Sequence, residues 1–226
     1  MNEPIAIDLY CGLGGWTEGL LAEGYFVVGF DIERHVYGDE QYPGELALQD
    51  VRTLHGSQFR DAALIVASPP CQAYSYRAMP WKRAKALPPP DNELFDACFR
   101  IQREACDAAG HHVPMVVENV RGAQKWVGRS RWNFGSFHLW GDVPALMPMN
   151  ATFKVRGDWF GADDAWQKLR GSKFIGNNNW LNRSNSSPMR RAWSDSDGRR
   201  AASAMIAKIP EPLARWIGRV YYPGRP

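Results

Sequence analysis

Short apolar runs alternate with amphipathic stretches along the first two thirds of the chain. Runs typical of buried strands occupy residues 5–10, 25–31, 63–68 and 114–120. Helical periodicity appears between them, at residues 16–24 and again at 92–110, where one face carries Leu94, Ala97, Cys98, Ile101 and Ala105. Strands that alternate with helices predict an α/β fold built on a parallel, doubly wound sheet. Residues 134–141 predict one further strand.

The pattern changes after residue 141. Residues 142–200 are polar and weakly periodic, with many Asn and Ser, and a helical pattern returns in residues 201–226. We therefore predict three regions: a sheet domain at 1–141, a small polar region at 142–200, and a C-terminal helical segment at 201–226.

Composition and charge narrow the class of protein. The chain has 226 residues, 45% hydrophobic and 23% charged, which is typical of a globular protein. Residues 170–226 hold 11 Lys and Arg against 3 Asp and Glu, whereas residues 1–169 hold 16 against 21. This basic C-terminal quarter predicts a polyanion partner, with a solubilising tail as the alternative.

The cysteines and the apolar runs indicate the compartment. Four cysteines lack the spacing of a metal site or a disulfide framework, which favours a reducing cytoplasm and no metal. No run approaches the roughly 20 apolar residues that a membrane span needs. We expect a soluble, cytoplasmic protein without a membrane partner.

A glycine-rich turn follows the first predicted strand. Residues 8–15 read DLYCGLGG and lead into a predicted helix, so backbone N–H groups and a helix N-terminus would lie beside a ligand. The second strand ends at Asp31, whose carboxylate can accept hydrogen bonds from both hydroxyls of a ribose. The pair predicts a nucleoside-containing cofactor. The glycine spacing is not that of a dinucleotide fingerprint or of a P-loop.

A cysteine and a glutamate end two other predicted strands. Pro69 and Pro70 stop the strand that precedes Cys71, because proline fixes φ and lacks a backbone donor. Glu118 leaves the next apolar strand, where burial would raise its pKa and let it act as an acid near neutral pH. At the carboxyl ends of neighbouring strands the two groups would share a cleft. The alternatives are a core cysteine and a capping or salt-bridged glutamate.

These segments resemble a known family. DLYCGLGG, SPPCQAYS (residues 68–75) and ENV (118–120), followed by an R-x-R, resemble the signature set of the cytosine-C5 DNA methyltransferases. The resemblance implies a Rossmann-like, doubly wound mixed sheet of the S-adenosylmethionine-dependent type with a small polar recognition region. Residues 1–141 would be the catalytic and cofactor-binding domain, 142–200 a reduced target-recognition region, and 201–226 a C-terminal helix that returns to the catalytic domain.

The resemblance also implies a reaction and roles for single positions. Cys71 would add to C6 of a flipped cytosine, Glu118 would hold and protonate N3, and Arg129 and Arg131 would assist. S-adenosyl-L-methionine would contact Tyr10, Gly12, Gly14, Asp31, Ile32, Asp50, Val51, Pro70, Leu94 and Lys208. Double-stranded DNA would contact Gln72, Ser75, Arg77, Lys82, Arg83 and Lys85. A solvated basic loop is the alternative for the four cations. We expect a monomer.

Three features depart from the family's pattern. Only ten residues separate Val120 from Arg131 of the R-x-R pair, which usually lies much further on. The final motif reads Ile-Ala-Lys-Ile at 206–209 and lacks the usual asparagine, so Lys208 either reaches solvent or meets a carboxylate on a modified cofactor. The recognition region is short, which predicts a short or relaxed target sequence, as in phage-type or orphan enzymes.

Other functions remain open from the sequence. A relative with the same motifs could methylate RNA, and a degenerate methyltransferase could hold nucleic acid through its basic C-terminal region without catalysis. A Rossmann oxidoreductase is disfavoured by the glycine spacing. The intact set of Cys71, Gln72 and Glu118 favours the enzyme.

Overall fold

The computed structural model describes residues 3–75, 86, 88–134, 136–147, 204, 205 and 207–224. The expected DNA contacts Arg77, Lys82, Arg83 and Lys85 lie outside these residues, as does most of the predicted recognition region.

Seven strands form one mixed sheet. They are β1 (Ile5–Leu9), β2 (Phe26–Asp31), β5 (Glu45–Leu48), β6 (Leu64–Ala67), β7 (Met115–Asn119), β8 (Trp132–Phe134) and β9 (Phe137–Gly141). Their order is β5-β2-β1-β6-β7-β9-β8, and the first five run parallel while β8 and β9 are antiparallel to their neighbours. Two short strands, β3 (Val36–Tyr37) and β4 (Glu40–Gln41), form a separate hairpin. The central strands are almost wholly apolar because both faces of the sheet are covered.

Helices cover both faces of the sheet. Four α-helices are described: α1 (Gly15–Ala22), α2 (Glu93–Ala109), α3 (Gln124–Val127) and α4 (Glu211–Tyr221). Short 3-10 helices occupy Val51–Thr53, Gly56–Phe59 and Arg121–Ala123. On one face, α1 and α4 contribute Trp16, Leu20, Leu213 and Ile217 to a core that contains Val66 and Val116. On the other, α2 contributes buried side chains to a core with Ile65 and Val117.

This architecture confirms the predicted α/β class and the Rossmann-like mixed sheet. The strands expected at 5–10, 25–31, 63–68 and 114–120 form within one residue of those limits at each end. The strand expected at 134–141 is β9, and β8 precedes it as the partner of an antiparallel hairpin. The sequence did not predict β3, β4 or β5. No helix in the described ranges is long and apolar enough to span a membrane.

Candidate active site

The glycine-rich turn after β1 lies at the carboxyl ends of the parallel strands, the edge at which α/β sheets form a ligand-binding cleft. Tyr10, Gly12 and Gly14 all adopt positive φ angles, of 58°, 52° and 75°. A left-handed backbone strains Tyr10, and such strain concentrates at functional sites. A Cβ on Gly12 would meet nothing within 4 Å, so the turn presents open backbone to the cleft. This arrangement suits a ligand that approaches the main chain closely.

Asp31 lies beside that turn, at the end of β2. Its Oδ2 accepts a hydrogen bond from the Gly12 amide (2.9 Å), and its Oδ1 accepts one from the Ile32 amide (2.8 Å). Burial raises the pKa of the Asp31 carboxyl, but the nearby His35 ring (Nε2 3.7 Å from Oδ1) and the Gly12 amide outweigh burial, so the pKa lies below its ordinary value. The carboxylate is therefore ionised at neutral pH and can accept hydrogen bonds from vicinal hydroxyls.

An exposed apolar side chain stands next to this carboxylate. Ile32 is 72% exposed, so its aliphatic surface is open to a ligand. Tyr10 closes the other side, where its hydroxyl donates to the Leu94 carbonyl (2.8 Å) and joins the turn to α2. An ionised carboxylate, an exposed apolar side chain and an open glycine backbone fit the adenosine part of the expected cofactor.

Asp50 and Val51, also expected at the cofactor, lie just after β5. Val51 is buried, at 1% exposure. The Asp50 carboxylate accepts hydrogen bonds from the Arg52 amide (2.9 Å) and from the Arg52 guanidinium (2.6 Å). Both of its oxygens therefore already have a partner within the protein.

The turn after β6 carries Cys71 and is fixed to the end of β7. Asn119, which is 1% exposed, donates from Nδ2 to the Pro69 carbonyl (2.9 Å). The Tyr74 amide donates to the Cys71 carbonyl (2.9 Å), which closes the turn. Pro70 itself is exposed. The prolines and Asn119 thus hold the Cys71 backbone in one geometry.

Tyr74 braces the same turn from the other side. Its ring is buried, and its hydroxyl donates to Asn92 Oδ1 (2.9 Å) at the start of α2. A Cβ on Gly122 would lie 2.2 Å from the Tyr74 carbonyl oxygen, so the segment after β7 packs directly against the Cys71 turn. Only glycine allows this approach.

Cys71 and Glu118 lie at the ends of adjacent parallel strands. The register pairs Ala67 with Val117, so Ser68 and Glu118 are the next residues on β6 and β7. Burial raises the pKa of Glu118 to about 8, against a smaller lowering effect of a hydrogen bond with Ser68. Burial also raises the pKa of the Cys71 thiol; a hydrogen bond with Ser75 lowers it, and the Glu118 charge raises it further. At neutral pH the cleft therefore holds a protonated carboxyl near a thiol.

The family model for C-5 cytosine-specific DNA methylases matches residues 5–126, more than half of the chain. The chain belongs to the C-5 cytosine-specific DNA methylase family. The matched range contains the glycine-rich turn, Cys71 and Glu118, and it ends before Arg129. Among proteins with curated descriptions, none matches this sequence.

Three solved structures are similar to part of the chain. A prophage-encoded protein of E. coli, described as a DNA modification methyltransferase, is 21% identical with a TM-score of 0.38, over 55% of this chain and 34% of that one. S. pombe Dnmt2 is 18% identical with a TM-score of 0.36, over 55% and 36%. The Entamoeba histolytica methyltransferase EhMeth is 16% identical with a TM-score of 0.37, over 55% and 40%. The matched part of this chain thus spans only about a third to two fifths of these relatives.

The two arginines of the R-x-R lie beyond the family match. Arg129 and Arg131 are both exposed. The Arg131 amide donates to the Leu139 carbonyl (2.8 Å) at the entry to β8. Because β9 separates β8 from β7, Arg131 lies two strands, about 10 Å, from the strand of Glu118. Their catalytic role stays a prediction.

Lys208 is held by the protein itself. Its Nζ donates to Glu18 Oε1 (2.5 Å) and lies 3.5 Å from Glu40 Oε2, with the side chain only 11% exposed. The expectation that Lys208 reaches solvent is therefore wrong, because two carboxylates of the protein enclose its charge. A Cβ on Gly15 would lie 2.4 Å from the Ile209 amide, so this segment packs against the start of α1. A contact with the cofactor stays a prediction.

Several residues that build the site carried no assigned role in the sequence. Asn119 stood within the quoted ENV segment, which was a usable signal. Ser68 and Tyr74 likewise stood within the quoted SPPCQAYS. Trp16 and Gly122 act through contacts between distant segments, so no local pattern identifies their roles. Among the residues that the structure describes, no group of three or more His, Cys, Asp or Glu could hold a metal ion.

Proposed function

We propose that this protein is a DNA cytosine-C5 methyltransferase in which Cys71 is the nucleophile and Glu118 the general acid. One observation carries the proposal: Cys71 and Glu118 lie at the ends of adjacent parallel strands, close enough for the Glu118 charge to act on the thiol, with the Glu118 pKa raised to about 8. Membership of the C-5 cytosine-specific DNA methylase family supports it.

The glycine-rich turn and β2 would hold the cofactor. S-adenosyl-L-methionine, when bound, supplies an electrophilic methyl group. The ionised Asp31 would accept hydrogen bonds from the ribose hydroxyls, and Ile32 would pack against the adenine. The open backbone at Gly12 lets the cofactor lie close to the turn.

Cys71 would act as the nucleophile on the cytosine, and Glu118 as the acid that protonates it. The Cys71 thiolate forms a bond to C6, the C5–C6 π electrons form a new C4–C5 double bond, and the C4–N3 π electrons move to N3, which takes the Glu118 proton. C5 thereby becomes a carbon nucleophile that can accept a methyl group. A water molecule then takes the C5 proton, which restores the C5–C6 double bond and expels the Cys71 thiolate, while N3 returns its proton to Glu118. A covalent adduct divides one difficult step into easier ones.

The protonation states explain why the two groups need each other. Glu118 holds its proton at neutral pH and can therefore give it to N3. Cys71 is mostly a thiol, because burial and Glu118 raise its pKa. Protonation of N3 draws electrons out of the ring, so a small thiolate fraction is sufficient for attack.

Duplex DNA would be bound over the same cleft. The cytosine must leave the base stack, at a cost of a few kcal/mol, before Cys71 can reach C6. Gln72 is exposed beside Cys71, and Ser75 is half-buried. The basic loop that follows would contact phosphates, and the short polar region would read few base edges.

Nucleoside mass spectrometry tests the proposal. Cytosine-containing duplex DNA is incubated with the protein and S-adenosylmethionine, with Cys71→Ala as the matched control. We expect 5-methylcytosine only with the unmodified protein. A product in RNA but not in DNA would change the substrate. No product on either, from folded protein that binds the cofactor, would refute the proposal.

A further inference from the structure

A buried indole stands beside the active-site strands. Trp16, the second residue of α1, is 1% exposed, and its Nε1 donates to Ser68 Oγ (3.0 Å). An indole N–H can only donate, whereas a hydroxyl accepts on its lone pairs and donates its single proton. With Trp16 as its donor, Ser68 is left with that proton to give to another group.

Glu118 is placed to receive it. Ser68 follows Ala67, the register partner of Val117, so it lies beside Glu118 across the β6–β7 pair. Side chains alternate along a strand, which places Ser68 and Glu118 on the same face as Trp16. The Ser68 side chain also lowers the pKa of Glu118, which is the effect expected of a hydroxyl that donates to the carboxylate.

We propose that Trp16 and Ser68 are positioning residues for the acid: Trp16 orients the Ser68 hydroxyl, and Ser68 holds one Glu118 oxygen so that the other faces the cytosine. This inference rests on the proposed function, which it deepens. The Trp16–Ser68 bond connects α1, which begins at the glycine-rich turn, to Glu118, the proposed acid. Neither side chain needs to touch the substrate.

Two other titratable groups lie near Glu118, and a measurement of its pKa has to distinguish their signals from that of the carboxyl. Cys71 follows on the adjacent turn, and His138 of β9 lies opposite Asn119. Burial of Glu118 raises its pKa and Ser68 lowers it. Loss of the Ser68 hydroxyl should therefore raise the Glu118 pKa further.

Carbon-13 NMR of glutamate labelled at the side-chain carboxyl measures this pKa in the full chain, with Glu118→Gln to assign the signal. We expect Ser68→Ala to raise the Glu118 pKa by about one pH unit, a tenfold change in the protonation equilibrium. Trp16→Phe keeps the apolar ring but removes Nε1, and should shift the pKa in the same direction by a smaller amount. Trp140→Phe is the matched control, because it removes an equally long bond (3.0 Å, to the Gly128 carbonyl) on the other face of the sheet.

The same variants are assayed for methylation across pH. If Ser68→Ala and Trp16→Phe move both the titration and the pH profile while Trp140→Phe moves neither, the positioning role is supported. If both variants are folded and the Glu118 titration is unchanged, the inference is overturned. A shifted titration in a protein that never methylates DNA would support the hydrogen-bonded chain but refute the proposed function.

Discussion

Asp8 offers a test of how burial controls charge in this sheet. It lies on β1 at 1% exposure, where its Oδ2 accepts from the Thr17 hydroxyl (2.7 Å). Its Oδ1 has no partner among the residues that the structure describes. Burial raises the pKa of Asp8 from 3.8 to about 7, and the Asp31 charge adds to the rise. The folded protein therefore has to accommodate an unfavourable buried charge above neutral pH.

The size of that penalty follows from the pKa difference. The folded state binds the Asp8 proton more tightly than the unfolded state, so stability is lost as the pH rises from about 4 to about 7. Each pKa unit corresponds to about 1.4 kcal/mol. An Asp8→Asn variant, which carries no charge, should have a free energy of unfolding about 4 kcal/mol above wild type at pH 8 and about 2 kcal/mol above it at pH 5.

Urea unfolding of both proteins at pH 5 and pH 8 measures the difference. Asp31→Asn is the control with the opposite sign, because the Asp31 pKa is lowered and the carboxylate stabilises the fold at both pH values. That variant should lose stability throughout, and more at pH 5, where the raised pKa of His35 keeps this partner protonated. A gain for Asp8→Asn that is equal at both pH values, or a loss at pH 8, would refute the reasoning.

Three further predictions concern the site. The methylation rate at saturating substrates should rise about tenfold per pH unit up to about pH 8 and then level off. The active pair is a Cys71 thiolate with protonated Glu118, so above about pH 8 the loss of the Glu118 proton offsets the gain in thiolate. A rate that falls from pH 6 to pH 8 would contradict these protonation states. Gly122→Ala should lower the free energy of unfolding by about 1–3 kcal/mol and also lower the methylation rate, because the new Cβ displaces the Tyr74 carbonyl. Urea denaturation and methylation assays measure the two effects, and unchanged stability and activity would contradict this contact. Lys208→Ala should cost about 1 kcal/mol in urea unfolding, less at high salt, and an unchanged free energy would show that its ion pairs contribute nothing.

The central strands and helices could be predicted because their physics is local. A strand buried on both faces, such as β6, reads as an unbroken apolar run. The helix α2 shows its buried face in the predicted spacing of Ala97, Cys98, Ile101 and Ala105, whereas the predicted Leu94 is only half-buried and Phe95 is buried instead. Strand β5 escaped prediction because it has only four residues, with exposed ends, and pairs on one side alone.

In the candidate site, too, features with a local sequence pattern could be predicted and features that depend on distant contacts could not. The ends of apolar strands predicted that Cys71 and Glu118 would meet, and the register of β6 and β7 brings those strands together. The bond from Trp16 to Ser68 spans 52 residues, and that from Lys208 to Glu18 spans 190. Such contacts depend on how helices dock on the sheet, which no local pattern contains.

The most direct test of the account is a covalent adduct at Cys71. Duplex DNA with 5-fluorocytosine at the target traps it, because fluorine cannot leave C5 as a cation and the thiolate is not expelled. The protein, this DNA and S-adenosylmethionine are incubated together, and the digested complex is sequenced by mass spectrometry. We predict the DNA on the peptide that contains Cys71, and none with Cys71→Ser. An adduct on another residue, or methylation of ordinary DNA without any adduct, would contradict the account.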